Sequence, residues 1–172
     1  MEQIVADDFQ KAEQVREEFS VDDTLNFQIV TLSNKLSLTV ARRALASDKL
    51  TLREWRILAV VFIFGPSMAR EISEKALLDP AHVSRTVHAM EKAGLVEFDR
   101  NREDRRQIIV KLTEQGEEVA RTVMPKAVAV NNAFRSIYSE EEFMTLIELL
   151  SRANAYAERL LGSDELPVGE HG

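Results

Sequence analysis

Between Leu95 and Leu112 the apolar pattern of the chain changes period. On either side, apolar residues return every three or four positions, the spacing of one helix face. Here Leu95-Val96-Glu97-Phe98-Asp99-Arg100 and Gln107–Leu112 are extended, β-branched or aromatic runs separated by the polar turn Asn101–Arg106. Two such runs joined by a short turn predict a β-hairpin.

The helices are punctuated clearly. Leu25, Ile29, Leu32, Leu36 and Val40 predict one long amphipathic helix over 24–46. Thr51 with Glu54 three residues on is a capping-box pair, opening a helix that Gly65-Pro66 ends. Ser67 is expected to cap a short helix reaching about Leu77, and Asp79-Pro80 to cap and start the next, which stops at Gly94. After the hairpin, Thr113 with Gln115-Gly116 starts a helix that Pro125 should kink or divide. Ser139 and the acids Glu140, Glu141 and Glu142 open the last helix, with Phe143, Leu146, Leu150, Ala153 and Leu160 as its apolar positions. A short helix can form over Asp7–Phe19, and Gly162–Gly172 reads as a frayed tail.

The resulting order is helix, helix, helix–turn–helix, hairpin, long helices. This is a mainly α chain with a small β-hairpin wing, a winged helix-turn-helix. Residues 1–46 are expected to form an N-terminal segment and dimerisation helix, 47–113 the DNA-binding domain, 114–161 the C-terminal dimerisation helices and 162–172 a flexible tail. The long apolar stripes at the two ends exceed what a small central module can cover. They are therefore expected to pack together and against a second copy, making a homodimer.

Composition bounds the function. The chain has 172 residues, no cysteine and a net charge of −7, so disulfides, thiolate metal sites and thiol redox sensing are excluded. No apolar run reaches the roughly 20 residues needed to cross a bilayer, and the amino-terminal stretch does not read as a secretion signal. A cytoplasmic protein without cofactor or membrane partner is the expectation. The charge is unevenly spread: residues 67–113 sum to +1, the rest to −8, and five arginines fall between 85 and 106. Such a local basic surface can attract phosphate, because repulsion from the acidic remainder is screened beyond about one Debye length. No phosphate-cradling glycine loop, metal-spaced ligand set or nucleophile–base constellation is present, so an enzyme is not expected.

On the helix from Pro80 to Ala93, Val83, Val87 and Met90 share one face, while Ala81, Ser84, Arg85, His88 and Lys92 share the opposite one. The first set fits a core. The second is a hydrogen-bonding face of the kind that reads base edges in a major groove, and it equally fits a solvated helix surface. His82 and His88 lie on different faces, so they do not pair as metal ligands. The hairpin turn carries Arg102, Arg105 and Arg106, with Asp104 placed to brace Arg106; a guanidinium there suits a narrow minor groove. A soluble charged turn has the same composition.

Asp104-Arg105-Arg106 followed by an apolar strand, then Leu112-Thr113 and Gly116, resembles the signature of the MarR family of bacterial regulators. Val83-Ser84-Arg85, Met90-Glu91-Lys92-Ala93-Gly94-Leu95-Val96 and Leu52 with Glu54-Trp55-Arg56-Ile57-Leu58 are similar to its reading helix and second helix. The resemblance implies a dimer on a pseudo-palindromic duplex operator, most often as a repressor. Ala81, His82, Ser84, Arg85 and His88 would read bases, and Arg106, oriented by Asp104, would be the wing-tip finger. It also implies release by a small aromatic acid or its coenzyme A thioester, with Trp55 and Phe62 as apolar lining and Arg42, Arg43 or Arg56 meeting a carboxylate. Two positions depart from the pattern: Leu77 stands where members often have Gly, and Ser73 replaces a common Ala. A winged-helix module for protein association without DNA binding is the alternative.

Overall fold

The computed structural model describes Asp22, residues 24–100 and residues 108–163. The sequence expectations for Asp7–Phe19, the tip 101–107 and the tail 164–172 lie outside the described residues. The chain divides into two compact units, Met1–Ala127 and Val128–Gly172.

In the first unit, helix α1 (Leu25–Val40) is capped by Thr24, whose hydroxyl accepts the Phe27 N–H. The expected single helix over 24–46 ends at Val40; a wider π-helical turn, Ala41–Leu45, and a short 3-10 turn, Ala46–Asp48, follow. The broader turn takes Ala44 and Leu45 into the core, whereas no residue of α1 is buried. Lys126 Nζ donates at 2.9 Å to both Ser47 Oγ and Asp48 Oδ2, and this Lys126 bond, with the Ser47 hydroxyl, holds the Asp48 carboxyl below its ordinary range.

Helix α2 (Leu52–Phe64) opens on the Thr51–Glu54 capping box and closes at Gly65, whose φ of 82° is open to glycine. The sequence predicts Ser67 as a helix cap, and it is not one. Gly65 and Pro66 turn the chain, and Ser67–Met68 becomes strand β1. Helix α3 (Ala69–Ala76) starts one residue later, with the Glu71 carboxylate accepting the Met68 N–H at 2.8 Å. Helix α4 (Pro80–Lys92), strands β2 (Val96–Arg100) and β3 (Ile108–Leu112) follow, and the expected two-stranded hairpin is a three-stranded antiparallel sheet in the order β1-β3-β2. Ser67 faces Val110, and Phe98 faces Val110 from the other side. The core joins Ile57 and Leu58 of α2, Ile72 of α3, Val83, Val87 and Met90 of α4, and Val96 and Val110 of the sheet. Ala120 and Val123 of helix α5 (Glu114–Arg135) close it. Pro125 does not divide α5, which continues as one helix of 22 residues. One missing N–H removes a single rung of the ladder.

The turn between α3 and α4 explains both departures from the family pattern. Leu77 takes the left-handed conformation, φ 52°, at the position a glycine usually fills in a helix-terminating turn, and the Leu78 N–H donates to the Ser73 carbonyl at 3.1 Å. The Ser73 hydroxyl, absent from an alanine, donates to the Leu78 carbonyl at 2.6 Å and pins the turn. Left-handed backbone costs a side-chain-bearing residue about 1–2 kcal/mol, and Leu77, 85% exposed, recovers little by burial. Gly at 77 removes that cost and adds unfolded-state freedom worth about 0.5–1 kcal/mol. Leu77→Gly is therefore expected to stabilise by about 0.5–1 kcal/mol and raise the melting temperature by about 1–4 °C. A calorimetric scan showing a fall would refute strain at this turn.

In the second unit, Ser139 and Glu142 form the capping box that opens α6 (Glu140–Leu161); the Ser139 backbone N–H keeps the Glu142 carboxyl below its usual range. Arg135 pairs with Glu140 and lies 4.9 Å from the centre of the Phe143 ring. No residue of α6 is buried, and Met144, Ile147, Leu149 and Leu150 are exposed. None of the helices among the described residues is long and apolar enough to cross a membrane.

Candidate nucleic-acid interface

Helix α4 is built to present one face outward. Asp79 Oδ1 accepts the Ala81 and His82 N–H groups at 2.9 and 3.1 Å, and Pro80 at the first turn lacks an N–H to satisfy. At the other end the Gly94 N–H donates to Glu91 and the Leu95 N–H to Met90, each at 2.9 Å. With Gly94 at φ 74° this is a complete Schellman ending, and its apolar members Met90 and Leu95 are both buried. Both ends being fixed, the inner face Val83, Val87 and Met90 is buried and Ala81, His82, Ser84, Arg85, His88 and Lys92 are exposed.

The exposed side has two flanks. Towards the sheet, the His88 ring meets the edge of Phe98 at 5.1 Å and 84°, and its Nδ1 lies 3.7 Å from Glu91. On the other flank His82, Arg85 and Thr86 line an open groove with Thr51, Arg53 and Glu54 from the start of α2. His82 Nδ1 lies 3.8 Å from Asp79. The sequence-predicted reading residues therefore stand on one helix, but His82 and His88 edge opposite flanks. The His82-Arg85-Thr86-Ala89 stripe has helical spacing and is legible in sequence; that Arg53 faces it is not, because Arg53 and Arg85 belong to different helices, well separated along the chain. Arg102, Asp104, Arg105 and Arg106 lie outside the described residues. The strands leading to them are described, and Lys111 of β3 pairs across to Glu97 at 3.3 Å and Asp99 at 3.8 Å.

Residues 50–108 match the MarR family model. An HTH-type transcriptional regulator of Bacillus cereus is 27% identical over 128 residues, 74% of this chain and 82% of that protein. A MarR mutant from E. coli, complexed with operator DNA, matches with a TM-score of 0.71 at 18% identity, over 78% of this chain and 99% of that one. BpsR of Bordetella bronchiseptica, whose DNA binding is regulated by 6-hydroxynicotinic acid, gives 0.72 at 15% identity, over 79% and 96%. Residues 50–108 are a MarR-family winged-helix domain.

The end of the MarR signature has a physical reason here. The Thr113 hydroxyl accepts the Gly116 N–H at 3.0 Å, capping α5, and donates to the Gly94 carbonyl at 2.5 Å. The Thr113 N–H donates to Leu95 at 3.2 Å. These bonds seat the first turn of α5 on the chain between α4 and β2, and Gly116 passes so close to the Leu95 carbonyl that it has no room for a Cβ.

Trp55 is 7% exposed and belongs to the core; Arg42 and Arg43 are exposed on the π-helical turn, and Arg56 is half-buried on α2. Phe62 lines an open cleft of about 430 Å³ shared with Val61, Pro66, Leu112, Lys111, Glu117 and Arg121. Its cations are occupied, Lys111 by Glu97 and Asp99 and Arg121 by Glu117.

Proposed function

We propose that this protein is a DNA-binding transcriptional regulator that grips a pseudo-palindromic operator as a homodimer and is released, as a repressor, by an aromatic acid or its coenzyme A thioester. The observation that carries the reading is α4. It is held at both ends, seated by three buried side chains, and offers a small-residue, polar, Arg-bearing face beside a sheet, and the sequence between strands β2 and β3 is rich in arginine. This is the arrangement a major groove and its flanking minor groove accept. Its relatives and structural neighbours carry regulator names, not enzyme names. Dimerisation is supported by α1 and α6, each with an apolar stripe and no buried residue; such faces find cover in a second copy. The boundaries that go with this reading are 47–113 for DNA and 1–46 with 114–161 for association. The effector part rests on the Phe62 cleft, whose apolar wall and two cations suit an aromatic carboxylate that displaces the local acids.

The test uses duplexes recovered by selection from genomic fragments. Arg85→Ala is expected to weaken binding and relax base preference at one position, worth about 1–3 kcal/mol there. Arg106→Ala is expected to weaken binding on all sequences and flatten its salt dependence. A panel of aromatic acids and thioesters added to the parent complex should release it. Two variants that bind like the parent would end the contact scheme, and a panel without release or thermal stabilisation would end the effector part.

A further inference from the structure

Arg53 stands in the first turn of α2, and its side chain shares the open groove of about 260 Å³ with Arg85 and His82 of α4. Glu54, the acid lining that groove, is already committed. Its Oε2 accepts both the N–H and the hydroxyl of Thr51 at 2.8 Å. Asp79 is likewise turned to the N–H groups that start α4. Among the described residues neither Arg53 nor Arg85 has an ion-pair or hydrogen-bond partner, and both are exposed. Two unpaired guanidinium groups thus border one groove at the edge of the reading face. The end of α2 is not the donor, since the Glu54 N–H is capped by Thr51 Oγ1 at 3.3 Å.

The placement selects the anion. A helix inserted in a major groove meets base edges ahead of it and a phosphate-bearing strand on either side. Along one side of α4 runs Phe98 of the sheet, against which His88 packs. Along the other runs the groove with Arg53. From this we infer that Arg53 is a positioning contact that binds the phosphate backbone of the same duplex α4 reads, leaving Arg85 of α4 for the bases. The inference rests on the regulator reading above and adds a contact outside the reading helix and the wing. A planar guanidinium with several donors matches a phosphodiester as it matches no neutral ligand, and the side chains that share the groove with it are mostly polar or charged.

The experiment measures the affinity of the full chain as a function of salt, on a selected duplex and on a scrambled duplex of equal length. Arg53→Gln should lower the slope of log affinity against log salt by about 0.9 for each phosphate it leaves without a cation, so by about two for a bound dimer. Affinity should fall equally on both duplexes, and the ratio between them should not change. Arg53→Lys should restore most of the slope, because an ammonium keeps the point charge. An unchanged slope in Arg53→Gln, in a protein whose melting curve matches the parent's, would overturn the inference while leaving the regulator reading intact. So would a changed preference between the two duplexes, which would make Arg53 a base reader. A parent chain that binds neither duplex would sink the regulator reading, and this phosphate contact with it.

Discussion

Gly116→Ala is expected to lower stability by about 3–5 kcal/mol, a large part of the 5–15 kcal/mol typical of a domain. A Cβ built on Gly116 falls 1.9 Å from the Leu95 carbonyl oxygen and 3.0 Å from its carbon. Those are backbone atoms, so no rotamer change relieves the overlap. The first turn of α5 has to move away from the chain leaving α4. Overpacking of this kind costs about 1–3 kcal/mol by itself. The shift also opens the Thr113 N–H bond to Leu95 and the Thr113 hydroxyl bonds to Gly94 and Gly116. A lost cap costs about 1 kcal/mol, and a buried group left unpaired about 1–3 kcal/mol. For a chain of this length the melting temperature should fall by about 6–20 °C. Gln115→Ala, one residue earlier on the exposed side of the same turn, should leave it within about 2 °C of the parent's. If thermal unfolding placed Gly116→Ala beside Gln115→Ala, the close approach of α5 to Leu95 would be wrong.

The comparison of these two neighbours shows what kind of information the chain displays locally. The punctuation of single elements is readable without a structure. Thr51 with Glu54, Asp79 before Pro80, Gly94 after α4 and Ser139 before three acids each satisfy or end a helix using groups within a few residues. The inner face of α4 is readable for the same reason, since its period belongs to one helix. What escapes is decided by partners remote in sequence. Ser67 has the composition of a cap, yet it enters the sheet because β3, far along the chain, has an open edge to pair with. The π-helical turn over Ala41–Leu45 follows from core space that only the folded unit defines. Leu77 and Ser73 stand out in the sequence as departures, but their relation, a left-handed turn held by a hydroxyl, is visible only in space. Arg53 likewise gains its meaning from the α4 residues across the groove.

The second large effect separates the seat of α4 from its outer face. Met90 is fully buried on the inner face of α4 and supplies the carbonyl that accepts the Leu95 N–H in the Schellman ending. Met90→Ala removes the thioether end of the side chain from a core that joins α2, α3, α4 and the sheet. Such truncations cost about 2–5 kcal/mol, depending on how far the site collapses. With Ile72, Val83, Val96 and Val110 of the same core also fully buried, collapse would have to move several elements at once, which places the expected loss near the middle of that range, about 3 kcal/mol. Met90→Leu conserves volume and should cost under about 1.5 kcal/mol. Denaturant unfolding of the three proteins gives these numbers directly. Operator binding, measured where all three remain folded, should be weaker for Met90→Ala on every sequence alike, because a loosened helix tilts its whole outer face. In Arg85→Ala the pattern should invert, with stability unchanged within about 0.5 kcal/mol and base preference relaxed. A Met90→Ala protein that is as stable as its parent would contradict the buried seat, and one that altered preference at a single base pair would mean that the inner face does more than hold the outer one in place.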